Sequence, residues 1–238
     1  MYARDLFTGL GPTFQTANYL APVGMFNGAD PFRAGALFLP TYGGPPPTVG
    51  VGQQVWGNFD PVGFRGWQIG VTAAGLIIAQ YGTGAAYVSA TFNPGARLLR
   101  RWCYAEMLYN DGSLSLFVNG ALAAVAAGAD LVPRIPSAAV VGGYSSSLDG
   151  ACFGLISGVT YTEAGTSGMD PYETGSEIAR TGQVARPVGG VQPQFSWQVP
   201  FYNLEGSALW VPATGDVPLT LNGAGQLTSK AVASNAWL

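Results

Sequence analysis

Apolar and polar positions alternate with a period of two along most of this chain, in short runs punctuated by glycine. In SLSLFV (113–118), Leu114, Leu116 and Val118 alternate with Ser113, Ser115 and Phe117, the pattern of a strand with one buried face. Asn110-Asp111-Gly112 precedes this run and Asn119-Gly120 follows it. Asx-Gly pairs between such runs predict tight hairpin turns, because glycine reaches positive φ without steric penalty. The stretch RRWCYAEMLYNDGSLSLFVNG (100–120) therefore predicts one hairpin with a second beginning at its end.

Comparable runs occupy most of the chain. FRAGALFL (32–39) and QQVWGNFD (53–60) read as strands, then Trp67, Ile69 and Val71 alternate up to a turn at Ala73-Ala74-Gly75. Leu76, Ile77 and Ile78 open the next run, and AYVSATF (86–92) follows. ALAAVAA (121–127) has helical composition, since alanine leads the helix scale. It comes directly after a hairpin turn and ends at Gly128, so the expectation is a strand packed where only small side chains fit. Two more strands are expected within 137–164. Four follow later: FSWQVPFYN (195–203), SALWVPA (207–213), PLTLNG (218–223) and QLTSKAVA (226–233).

One helix is predicted, over about Pro171–Arg180. Asp170 caps it, Pro171 takes its first position, and Glu173 completes a box-like D-x-x-E. Turns spaced about eight to twelve residues apart are the signature of a sandwich or barrel. The expected fold is all-β: an antiparallel β-sandwich with one short helix near 171–180. Residues 1–29 show no strand or helix period and are expected to form an N-terminal arm. Residues 30–238 form the sandwich, completed by strands from 195–238, because four short strands alone bury too little to stand as a unit.

Composition narrows the function. Hydrophobic residues make up 48% of the 238 and charged ones 10%, against about a quarter charged in ordinary domains. Little else keeps a free surface solvated, so part of this surface is expected to be covered by neighbours. A net charge of −3, with Lys230 the sole lysine, argues against nucleic acid as partner. No run approaches the roughly 18 apolar residues of a membrane span, and MYARDLFTGLGPTF lacks the apolar core of a signal peptide. Cys103 and Cys152 each fall in a strand-like run, as buried thiols or as a bridge between neighbouring strands.

The order of motifs resembles the laminin-G-like, concanavalin-A-like jelly-roll family. GWQIGV, GLIIAQYG, RWCYAEMLYNDGSLSLFVNG, VVGGY and GACFGLISGVTY follow one another over roughly residues 30–165. Trp102, Asp111, Gly112, Val118, Asn119, Gly120, Gly142, Gly154 and Ile156 match positions of the family pattern. The resemblance implies a jelly roll with Trp67 and Trp102 in its core. It also implies a possible calcium site, for which Asp60, Asp111 and Asp149 supply oxygens without tight ligand spacing. Ser157 stands where the family often has Asp.

Catalysis finds no support in the residues. The chain has no histidine, which excludes Ser-His-Asp and Cys-His nucleophiles and most zinc sites. A glycosidase needs two carboxylates facing a groove. Glu106 stands alone in its strand, and Glu173 and Glu177 fall on the expected helix. No cofactor is expected. Sugar binding needs an exposed aromatic platform, for which Trp56, Trp67, Trp102, Trp197, Trp210 and Trp237 are the tryptophan candidates. The first four of these other than Trp56, namely Trp67, Trp102, Trp197 and Trp210, are expected in the core.

Two functions follow. The first is a non-enzymatic structural or decoration subunit of a large assembly, most plausibly a virus or phage particle built in the cytoplasm and later exposed outside. Its partners would be copies of itself or a capsid or tail protein. The expected contacts are Tyr2, Leu6, Phe7, Phe14 and Tyr19 in the arm, Pro45, Pro46 and Pro47 in a stiff loop, and Trp237 at the other end. The alternative is a carbohydrate-binding adhesin or lectin-like module recognising a surface glycan. Neither reading calls for nucleic acid or a membrane.

Overall fold

A computed structural model describes residues 2–5, 17–21, 23–28, 31–40, 53–94, 102–143, 154–163, 195–200, 209–210, 219–223 and 228–231. In the strands before residue 21 and after 194 the backbone alone is described. These residues form β1 (Tyr2–Asp5), β2 (Ala17–Leu20), β3 (Phe32–Pro40), β4 (Gln53–Gly57), β5 (Trp67–Val71), β6 (Ile77–Gly82), β7 (Tyr87–Phe92) and β8 (Cys103–Asn110). They continue with β9 (Ser113–Val118), β10 (Ala121–Ala127), β11 (Val140–Val141), β12 (Gly154–Glu163), β13 (Phe195–Pro200), β14 (Leu209–Trp210), β15 (Leu219–Gly223) and β16 (Thr228–Ala231).

The strands make two antiparallel sheets. The first runs β10-β9-β8-β3-β12-β1-β16, with β13 also paired to β12, and the second runs β14-β15-β2-β11-β4-β5-β6-β7. The hairpins form as their turns predict. Asp111 (φ 45) with Gly112 (φ 70), and Asn119 (φ 50) with Gly120 (φ 86), both have the paired positive φ of a type I′ turn. That hand of turn matches the twist of the strands it joins, so Asn110 pairs with Ser113 and Val118 with Ala121. Asn119 adds a tether, its side-chain carbonyl accepting from the Tyr104 amide at 2.9 Å.

The core lies between the sheets. Trp67, Ile69 and Val71 from the second sheet meet Leu114, Leu116, Val118 and Ile156 from the first, and all are buried. Trp102 is buried too, as are Trp56 and Cys103, the last a free thiol. At the centre, Trp67 lies 5.4 Å from Trp56 and 5.4 Å from Phe32 between ring centroids, and 5.5 Å from Tyr161. Its indole N–H donates to the Phe26 carbonyl at 2.8 Å. A loop crosses the core there with Phe26 at φ 58 and Gly28 at φ 87, and the Phe26 carbonyl also accepts from Asn58.

Three elements differ from expectation. Within the segment expected as an arm, Tyr2–Asp5 pairs with β12 and β16, and Ala17–Leu20 pairs with β11 and β15. Both have strand partners on each side, and backbone pairing along both edges leaves no trace in the local alternation. β10 is a strand as expected, but it lies at the sheet edge, with Leu122 and Val125 exposed. The later strands join the same sandwich: β13 pairs with β12, β15 with β2 and β16 with β1. The helix expected near 171–180 lies outside the described residues, as does Cys152.

Tyr81 gives the core a pH limit. Its buried hydroxyl donates to the Gly112 carbonyl at 2.7 Å, and its ring meets Tyr109 edge-on at 5.0 Å. Burial, then the charges available to Tyr109 and Asp130, push the hydroxyl up from 10.0 to about 12. The folded state holds the proton more tightly than the unfolded one. The contribution is therefore complete below pH 10 and declines as pH rises from there toward 12. Urea unfolding across that range should show stability falling with pH, and Tyr81→Phe should flatten the fall while costing about 1 kcal/mol at neutral pH.

Candidate functional site at the Tyr87 rim

Core packing fixes which side chains face outward on the second sheet. Because Trp67, Ile69, Ala79 and Ala90 point into the core, Gln68 on β5, Gln80 on β6 and Ser89 on β7 share the opposite face. They stand in register as Gln68↔Gln80 and Gln80↔Ser89. Gln68 Nε2 donates to Gln80 Oε1 at 2.6 Å, and Gln80 Nε2 donates to Ser89 Oγ at 2.7 Å. The two amides are buried, whereas Ser89 and Thr91 on the edge strand are exposed. A polar ladder thus runs from the sheet interior out to β7.

Tyr87 opens the same face of β7 and is 37% exposed. Its hydroxyl donates to the Pro61 carbonyl at 2.5 Å. The ring packs obliquely on Phe64 at 4.7 Å and Phe59 at 5.2 Å, which fixes its plane and leaves part of it open. Burial, then the Asp60 charge, push the hydroxyl pKa up, so Tyr87 is a neutral donor at physiological pH.

The loop beneath it is held from several sides. Asp60 and Arg65 bridge their backbones, Gly84 N–H donates to the Phe64 carbonyl at 2.7 Å, and Gly66 N–H donates to Val132 at 2.8 Å. Phe64 sits at φ 50 and Gly66 at φ 74, the conformations that fold the loop back. Arg134 donates through Nη1 to the Phe59 carbonyl at 2.8 Å, and its Nε lies 4.0 Å from Asp60 Oδ2. Asp60 Oδ1 accepts from the Val62 amide at 3.0 Å. Burial pushes the Asp60 carboxyl up, but the Gly63 and Val62 amides with the Arg134 and Arg65 charges outweigh it and hold the group below its ordinary value. Arg65 and Val62 are exposed beside it.

The rim therefore combines a fixed, partly open aromatic ring, an exposed guanidinium, an ionised carboxylate and the hydroxyls of Ser89 and Thr91. An apolar plate with a few placed polar groups is the arrangement by which small-molecule sites fix a ligand's orientation.

Of the residues expected to act from sequence, the described ones fall elsewhere. Trp56, Trp67 and Trp102 are fully buried and offer no platform. Tyr2 and Tyr19 lie in β1 and β2, and Leu6, Phe7, Phe14, Pro45, Pro46, Pro47 and Trp237 lie outside the described residues. Asp111, Gly112, Asn119 and Gly120 make hairpin turns. Of the candidate calcium oxygens, Asp60 has Arg134 Nε at 4.0 Å from its Oδ2, and Asp149 lies outside the described residues. No group of three metal-ligating side chains occurs among the described residues, and no described helix is long and apolar enough to cross a membrane. Glu106, alone in β8, pairs with Arg33 on the outer face of the first sheet. Tyr87 is not among the tryptophan platforms that the sequence suggests. Its signal is the alternation of Tyr87, Ser89 and Thr91 with Val88 and Ala90.

Among solved structures, a Bacteroides ovatus protein provisionally described as carbohydrate binding matches at a TM-score of 0.59 and 18% identity, over 97% of this chain. This chain spans 60% of that protein's length. Domains LG4-5 of the mouse laminin alpha1 chain match at a TM-score of 0.49 and 15% identity, over 70% of this chain and 43% of theirs. The heptameric SAP-like pentraxin of Limulus polyphemus matches at 0.49 and 12%, over 93% of this chain and 95% of its own. The fold is an antiparallel β-sandwich jelly roll. No family model and no curated protein matches this jelly-roll chain in sequence.

Proposed function

We propose that this jelly-roll chain is a non-catalytic carbohydrate-binding module that holds a glycan at the Tyr87 rim. The observation that carries the reading is Tyr87 itself: 37% exposed, anchored through its hydroxyl, and flanked by Asp60 and Arg65. A pyranose ring presents an apolar face that stacks on an aromatic plate, and equatorial hydroxyls that meet charged and hydroxyl groups around it. Ser89 and Thr91, continuing along the same strand face, extend the polar surface for a second residue of the chain. Sharing a fold with a protein described as carbohydrate binding supports this reading over that of a virus-particle subunit.

A glycan array probed with the full chain should give selective binding. Tyr87→Ala should weaken the best hit about tenfold, as losing one partly buried aromatic contact implies. Arg65→Ala, at an exposed position, should weaken binding without changing thermal stability. Selective binding that survives both substitutions would move the site elsewhere, and an array without selective hits would overturn the function.

A further inference from the structure

We propose that the rim selects sugars carrying a carbonyl oxygen, as an acetamido or a uronate group, and that Gln68 and Gln80 set this choice by fixing the Ser89 hydroxyl as an outward donor. The inference rests on the reading of the rim as a glycan site and names the class of glycan it takes.

A serine hydroxyl has one proton and two lone pairs, and when it turns freely it meets donors and acceptors alike. Ser89 is not free to do so. Its Oγ accepts from Gln80 Nε2 at 2.7 Å, so its own proton points away from that line. Gln80 holds its amide in this sense because its Oε1 accepts from Gln68 Nε2 at 2.6 Å. Turning the Gln80 amide over would set its NH2 against that of Gln68. Both glutamines are buried, where a hydrogen bond lost inside the sheet face is not replaced by water. The two amides therefore form a directed chain from the interior to the edge strand, and it ends on an exposed hydroxyl.

That hydroxyl is well placed. Ser89 follows Tyr87 by two residues on the same face of β7, roughly 7 Å along the strand, and both are exposed. A sugar stacked on the Tyr87 ring brings a ring substituent over Ser89. Tyr87 offers no competing donor, because its hydroxyl already donates to the Pro61 carbonyl. A ligand hydroxyl that accepted from Ser89 would still have to place its own proton, and the carboxylate of the rim is already engaged. Asp60 Oδ1 accepts from the Val62 amide at 3.0 Å, and the Gly63 amide and the Arg134 charge stand at the same group. Arg65, exposed beside it, only donates. A carbonyl or carboxylate oxygen has no proton to place and accepts from Ser89 without that cost.

A glycan array probed with the full chain tests this, using oligosaccharides matched in linkage. Chitotetraose against cellotetraose reads the acetamido group, and tetragalacturonate against its neutral galactose counterpart reads the carboxylate. Wild type should bind carbonyl-bearing members about tenfold more tightly than their hydroxyl-only matches, the scale of one hydrogen bond, and the pair that shows it tells acetamido from uronate. Gln80→Glu, read at mildly alkaline pH, puts an ionised carboxylate where the amide donated. Ser89 then donates inward, and an acetamido preference should shrink to about twofold or less while hydroxyl-only glycans bind as before. Ser89→Ala, which adds no charge, should lose either preference, and Ser89→Thr should keep it. These exposed-site variants decide the matter even if Gln80→Glu fails to fold. Selective wild-type binding that ignores the carbonyl group would overturn the proposal and leave the rim a glycan site. So would a preference that survives Ser89→Ala, or an acetamido preference that survives in folded Gln80→Glu. An array without selective hits would overturn both readings together.

Discussion

Trp67→Ala is expected to lower the free energy of unfolding by about 3–5 kcal/mol, a large part of the roughly 5–15 kcal/mol that holds a domain folded. The ring is fully buried and is touched by Trp56 from the second sheet and by Phe32 and Tyr161 from the first. Its removal therefore opens a cavity bounded by both sheets, which cannot close without moving them relative to each other. Trp67→Phe separates packing from hydrogen bonding. It keeps part of the aromatic contact and loses only the bond to the Phe26 carbonyl, which retains Asn58 at 3.2 Å. That variant should recover more than half of the loss in a guanidinium titration. A cost for Trp67→Ala no greater than the 0.5–1.5 kcal/mol typical of Ile→Val, about the scale of one methylene, would show that the aromatic cluster is not the centre of the core.

Removing one partner of the Arg33–Glu106 pair should be comparably damaging. Both side chains are buried although they lie on the outer face of the first sheet, with Tyr104 alongside. Burial, then the Glu106 charge, push the Tyr104 hydroxyl well up, and it shares a 3.1 Å hydrogen bond with Thr160. Glu106→Ala should cost about 3–5 kcal/mol, the loss for a buried pair broken on one side. Replacing both residues together, as Arg33→Met with Glu106→Leu, removes both buried charges and should restore most of the stability. Denaturant unfolding of the two single variants and the double variant checks this. If Glu106→Ala cost no more than about 1 kcal/mol, the pair would be behaving as an exposed one.

Local chemistry made much of the architecture readable. The paired positive φ at Asp111-Gly112 and Asn119-Gly120 follows from the Asx-Gly pairs, and the alternation in SLSLFV reappears as buried Leu114, Leu116 and Val118. Trp67, Ile69 and Val71 point inward as their spacing requires. These signals are local because a turn is decided by two residues and a strand face by its own period. β1 and β2 were invisible in the same terms, since each is held along both edges by neighbours about 120 to 230 residues away in the chain, as in Leu20↔Val140 and Tyr2↔Ala231.

The candidate site was illegible for a related reason. Tyr87, Asp60, Arg65 and Arg134 come from three separate segments, and only the return of the 58–66 loop onto β7 brings them together. Whether an aromatic serves as core or platform depends on which sheet face it occupies and on what covers that face. The three tryptophans Trp56, Trp67 and Trp102 are buried, whereas Tyr87, also at a strand position, is exposed. By itself the sequence determined an all-β chain, its hairpins and the inward face of its strands, because those are set by residues a few positions apart. The tertiary structure alone decided which strand closes each sheet, which ring is left open at the rim, and that Glu106 meets Arg33 across 73 residues. Those outcomes depend on long-range pairing, and no local pattern encodes the neighbour that a strand will find.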